Sequence, residues 1–147
     1  MRRPRRPRRT DFRIADSAQQ IVGGFLLAGP FVVTEEVWSL AAEMNGVQTA
    51  ITVAIVGLIG YSALYRADTG RDESEERSLA GLPVRFVSLM VVAFGSVLVL
   101  AVVFDAPGTF LVAKGVAGIE LWTTTFKVVA VGAVFSVVGA ATADSVF

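Results

Sequence analysis

The chain has 147 residues, room for one domain, and is 54% hydrophobic with a mean hydropathy of +0.64, above the roughly 45–50% apolar usage of soluble domains. The expected class is an all-α membrane protein. Thirteen basic and thirteen acidic residues cancel to a formal charge of zero, while cysteine and histidine are both absent. Their absence excludes disulfides, iron–sulfur clusters, thiolate zinc sites, His-ligated haem, Ser-His-Asp triads and histidine proton relays. Any metal would be a hard cation on oxygen ligands, its identity unknown, and no cofactor is expected.

Residues 1–16 read as a basic, disordered tail ahead of a four-helix transmembrane domain over 17–147. The run Met1 to Arg9 carries six arginines. As a twin-arginine export signal it is weak, because the apolar run starts about a dozen residues later, continues too long and lacks a small-residue cleavage site. Contact between Arg2–Arg9 and anionic lipid is one alternative, worth roughly 1 kcal/mol per arginine near the surface. A topogenic tail with no specific nucleic-acid binding is the plainer one.

A spanning helix needs about 20 apolar residues, and four segments qualify. Span one covers about 21–42, opened by Asp16 and Ser17, where Ser17 and Gln20 form a capping-box pattern. Span two covers about 47–65. Between spans two and three, Asp68, Asp72, Glu73, Glu75 and Glu76 mix with arginines in what reads as a solvated hairpin, without calcium-loop spacing. Span three, about 86–104, is free of charge; it follows Gly81-Leu82-Pro83 and stops at Asp105-Ala106-Pro107-Gly108. Residues 109–118 are short, apolar and glycine-bearing, compatible with an outer interfacial helix, a re-entrant piece or a small hairpin. Span four covers about 119–143, with Glu120 and Lys127 near its start and Asp144 at its end.

All eleven arginines lie in the tail or between spans two and three. With an even number of spans this obeys the positive-inside rule, so both termini are expected in the cytoplasm of a multi-pass cell-membrane protein. Tyr61 and Tyr65 at the inner side, and Trp38 and Trp122 at the outer side, fit interfacial aromatic belts.

Two adjacent acids, Glu35 and Glu36, fall inside span one, and an intramembrane carboxylate is a functional-site hypothesis by default. A straight span one puts them roughly 9 to 10 Å inside the outer edge, and Lys127 on span four at about the same depth. An ion pair with Lys127 or escape to the headgroups are the two outcomes. Glu35 shares a face with Gly24, Ala28, Phe31 and Trp38, where small residues four apart mark close helix contacts, so it is the better candidate for the bundle interior. Pro30 lacks an N–H, can kink the helix and frees the carbonyl of Leu26. On span four, Gly132, Ser136, Ala140 and Asp144 recur every fourth residue, a pattern of a packing seam more than of a polar path. Asp144 lies at the inner boundary, within reach of Arg13, Arg66 or Arg85.

The segments Gly23 to Trp38, Pro83 to Met90 and Gly139 to Phe147 resemble a family of short haloarchaeal integral membrane proteins classed as a domain of unknown function. The likeness covers nearly the whole chain after the basic tail. It implies a multi-span membrane protein and carries no assigned activity.

Two functions are weighed. One is a small cation or proton channel or transporter subunit with Glu35 as the ion site, Lys127 as counter-charge and Glu36 and Asp144 as further pathway residues; four spans seldom enclose a path alone, so a homo-oligomer is expected. The other is a non-catalytic accessory or helix-packing protein in which Glu35, Glu36 and Lys127 are structural. An enzyme ranks last, because no paired-acid or metal signature has catalytic spacing. The lipid bilayer is the expected partner throughout.

Overall fold

A computed structural model describes residues 14–66, 78–79 and 82–146. The expectations for the tail Arg2–Arg9 and for the charged loop 67–77 lie outside the described residues. Six α-helices form: α1 (Ile14–Val32), α2 (Glu35–Ala42), α3 (Gly46–Tyr61), α4 (Val84–Val103), α5 (Ala106–Phe110) and α6 (Ile119–Val146). Among the described residues the fold is all-α apart from one small antiparallel pair, β1 (Ser78–Leu79) with β2 (Leu82–Pro83). Three segments are long and apolar enough to cross a membrane, Gly46–Tyr65, Val84–Val103 and Ile119–Asp144; a fourth is the bent pair α1 and α2 taken together.

The first expected span is the one the structure redraws. α1 begins by Ile14, so residues 14–16 belong to a helix and not to a tail, and Ser17 is a helix-interior residue that caps nothing. The chain then breaks after Val32, and α2 leaves at 82° to α1. Pro30 is inside the last turn of α1, where its missing N–H removes one bond of the ladder. The exposed carbonyls of that turn find side chains instead: the Thr34 hydroxyl donates to Pro30 O (2.7 Å), and the Trp38 indole N–H donates to Val32 O (2.9 Å). These two bonds hold the corner. By length, 19 residues or about 28 Å, α1 comes close to the roughly 30 Å of a hydrocarbon core, but with Asp16, Gln19 and Gln20 in its first turns it is apolar enough to cross only when taken together with α2.

α3 starts at a capping box, with Asn45 accepting from Gln48 N and Gln48 accepting from Asn45 N. It runs into one π-helical turn, Ser62–Arg66. Pro83 precedes the first turn of α4. Segment 109–118 resolves into the end of α5 and a 3-10 turn, Val112–Lys114, closed by Gly115 at φ 86°, a left-handed conformation that glycine adopts without strain.

Paired positions give the helix directions. Ser17 lies by Ser88 and Gly24 by Ser96, so α1 and α4 run the same way; Arg85 lies by Asp144 and Gly132 by Val97, so α6 runs opposite to both. Gly23 and Gly139 bring α1 and α6 into backbone contact, where a Cβ on Gly23 would meet Gly139 C and Ala143 Cβ at 2.7 Å. The five seam residues Gly24, Ala28, Gly132, Ser136 and Ala140 are all buried. Two apolar cores result: one around Ala28, Trp38, Val97 and Val128 near the α2 end, the other around Val56, Leu64, Leu89 and Val137 near the opposite end.

Candidate functional site

The glutamates do not enter the bundle. Glu35 and Glu36 form the first turn of α2, after Thr34 at its N-cap, where carboxylates are stabilised by the positive end of the helix dipole. Both are exposed. Glu35 pairs with Lys114 of the 3-10 turn, and at 54% and 55% side-chain exposure this is a surface ion pair. The expected face shared with Gly24 and Ala28 is divided by the 82° corner: the small residues stay buried on α1 while Glu35 is carried outside. Lys127 makes no ion pair with either glutamate, nor with any other described residue, and is half-buried. Trp38, expected as an interfacial anchor, is 1% exposed and packs at 5.7 Å from the ring of Phe110. Trp122 is 69% exposed.

The buried charge lies at the other end. Asp144 has a fully buried side chain, and Arg85 Nη1 donates to both of its carboxylate oxygens, at 2.7 and 3.0 Å. Arg85 Nη2 donates to Asp16 Oδ2 at 3.3 Å. One guanidinium thus ties α1, α4 and α6 together, using the fork geometry that lysine lacks. Of the three arginines considered for Asp144, Arg85, delivered by the first turn of α4, bonds to it; Arg13 and the Arg66 side chain lie outside what the structure describes.

A polar seam continues from this cluster between α1, α4 and α6. Ser88 donates to Gln20 Oε1 (2.7 Å), and Ser88 Oγ lies 3.2 Å from Ser17 Oγ. One turn further along α1, Ser136 donates to Gly24 O at 3.1 Å. Gly24 is small because it must be: a Cβ there would approach Ser96 Oγ at 2.9 Å and Ser136 Oγ at 3.1 Å. Gln20 Nε2 and Ser96 Oγ are buried with no hydrogen-bond partner among the described residues. Beyond Ser96 an apolar core forms around Ala28, Val32, Val97 and Ala101, with Thr124 and Thr125 of α6 also buried toward the α2 end.

Sequence reasoning reached Asp144 as a candidate but took Asp16 and Gln20 only as the opening of span one, and did not single out Ser88. The signal for Asp16 and Gln20 was the spacing Asp16, Gln20, Gly24, Ala28, every fourth residue, which continues the small-residue face back into the polar start of α1. The acids at Glu35 and Glu36 had a signal too, since Thr followed by two acidic residues is a helix start. Chemically, the cluster can hold three helices in register; among the described residues no three acids converge to hold a metal ion. Compared with protein-family models, curated proteins and solved structures, the chain matches none.

Proposed function

We propose that the chain is an integral membrane protein of the accessory or helix-packing kind, non-catalytic, crossing the bilayer four times with both termini cytoplasmic. α1, α3, α4 and α6 are the crossings, α2 and α5 lie along the outer surface, and the arginine-rich segments sit inside. This reading keeps the likeness to the short haloarchaeal membrane family as its family assignment. The observation that carries it is the Arg85–Asp144–Asp16 cluster, in which buried charge is engaged between helices. Glu35, by contrast, is matched by Lys114 at the surface.

A second reading, cation or proton permeation by a homo-oligomer, is favoured by Gln20 Nε2 and Ser96 Oγ, polar atoms left open along the seam above the cluster. Under it the seam is the inner half of a path and Glu35 an acid at its outer mouth.

Flux separates the two. Purified chain in liposomes is exposed to H⁺, Na⁺, K⁺ and Ca²⁺ gradients beside Glu35→Gln, Ser96→Ala and Lys127→Met. The accessory reading expects no flux above empty liposomes from folded protein. Flux in wild type that Ser96→Ala or Glu35→Gln abolishes would overturn it in favour of permeation.

A further inference from the structure

α3 and α6 do not close against each other along their whole length. Between Gln48, Thr52 and Ile55 on α3 and Val131, Val134 and Phe135 on α6 lies a lateral groove of about 400 Å³, covered at one end by Leu40 and Met44 of the α2 segment. Ile55 and Phe135 are exposed at its mouth. Its two polar members are partly engaged elsewhere: Gln48 Oε1 accepts from Asn45 N, and the Thr52 hydroxyl donates to Gln48 O at 2.8 Å. The groove offers hydrocarbon to its occupant, and water there would go without partners.

Its chemistry selects among occupants: walls of hydrocarbon with a cation beyond one end match an apolar chain that ends in an anionic group. The headgroup end is marked by Lys127, which lies one helical turn before Val131 on the same face of α6. Its side chain leans toward the start of the helix, the α2 end of the bundle, and it has no ion-pair partner among the described residues. Groove and cation are aligned as the tail and phosphate of a lipid are.

We infer that the α3–α6 groove binds one acyl chain of an anionic phospholipid, whose phosphate is held by Lys127. The inference rests on the membrane reading above, so it is tested only on protein that stays in the pellet after alkaline extraction of membranes. Loss from the pellet overturns membrane embedding and the lipid site with it; the lipid measurements judge the site alone.

The full chain in detergent is delipidated, titrated with phosphatidylglycerol or phosphatidylcholine, and read by native mass spectrometry. Wild type is expected to retain phosphatidylglycerol about fivefold more strongly than phosphatidylcholine, the preference one lysine confers near an anionic headgroup. Lys127→Met should remove the preference and keep basal retention of both lipids. Thr52→Phe and Val134→Phe, which fill the groove, should lose retention of both, while Val99→Phe on the exposed face of α4 should not. Two filling variants are used because one failing to fold leaves the other to decide. Unchanged retention in a folded filling variant overturns the site, and an unchanged preference in Lys127→Met overturns the anionic headgroup. A wild-type dimer that the filling variants dissociate would assign the groove to a second copy instead.

Discussion

Replacing Gly139 with alanine should separate α1 from α6. The new Cβ would overlap the carbonyl oxygen of Gly23, a backbone atom that cannot swing away, so one helix must move by about 1 Å. A gap of that size forfeits a quarter to a half of each van der Waals well along the interface. The Ser136 hydroxyl bond to Gly24 O would stretch from 3.1 Å to about 4 Å, losing about 1 kcal/mol. Overpacking adds about 1–3 kcal/mol, and the better helix propensity of alanine offsets about 0.5–1 kcal/mol. The net is a loss of roughly 1–3 kcal/mol. Gly57→Ala and Gly95→Ala are the controls, since a Cβ at either meets nothing within 4 Å and both should be neutral or stabilising. Stability is read by titrating SDS into mixed micelles and following helicity. The double variant Gly23→Ala with Gly139→Ala should lose less than the sum, because the first separation makes room for the second methyl. If Gly139→Ala is as stable as Gly57→Ala, the glycine crossing is not a close backbone contact and the packing argument fails.

Three further outcomes follow from the same structure. Asp144→Asn leaves Arg85 without its main carboxylate and should destabilise by about 3–5 kcal/mol, and Arg85→Lys should not restore stability because it cannot reach both acids; wild-type stability in either variant contradicts the clamp. Glu35→Gln and Lys114→Met should each shift stability by less than about 1 kcal/mol in the same titration, as expected for an exposed pair. Trp38→Phe keeps the ring contact with Phe110 but loses the bond to Val32 O, which should cost about 1–2 kcal/mol and raise hydrogen exchange at residues 33–37; unaltered exchange would mean that the indole does not hold the corner.

Spans two, three and four were legible because an uninterrupted apolar run determines a helix almost regardless of its neighbours: about 47–65, 86–104 and 119–143 became helical segments within a few residues of those bounds. Span one was not, and the reason is tertiary. Asp16, Ser17 and Gln20 read as the polar approach to a membrane helix, but their side chains meet Arg85 and Ser88 across the bundle, so the helix extends back to Ile14. At its other end the apolar run resumes after Thr34-Glu35-Glu36 and continues to Ala42, so total length alone reads as one span while the backbone turns by 82°. A depth estimate that multiplies residue number by helical rise does not hold beyond such a corner, so the depth worked out for Glu35 and Glu36 on a straight helix does not apply to the bent chain. Asp144 was placed within reach of Arg13, Arg66 or Arg85, because a charge at a helix end has few candidates nearby, and Arg85 is bonded to it; its complete burial was not readable, since that depends on α1 covering it.

Four crossings with α2 folded over the outer surface can be measured directly, because the chain lacks cysteine. Single cysteines at Ser39 on α2 and at Ser62 beyond α3, both exposed positions, are reacted with a membrane-impermeant maleimide in intact cells. Ser39→Cys is expected to label at once and Ser62→Cys only after permeabilisation. Labelling of both from the same side, or of Ser62→Cys alone in intact cells, would contradict that arrangement.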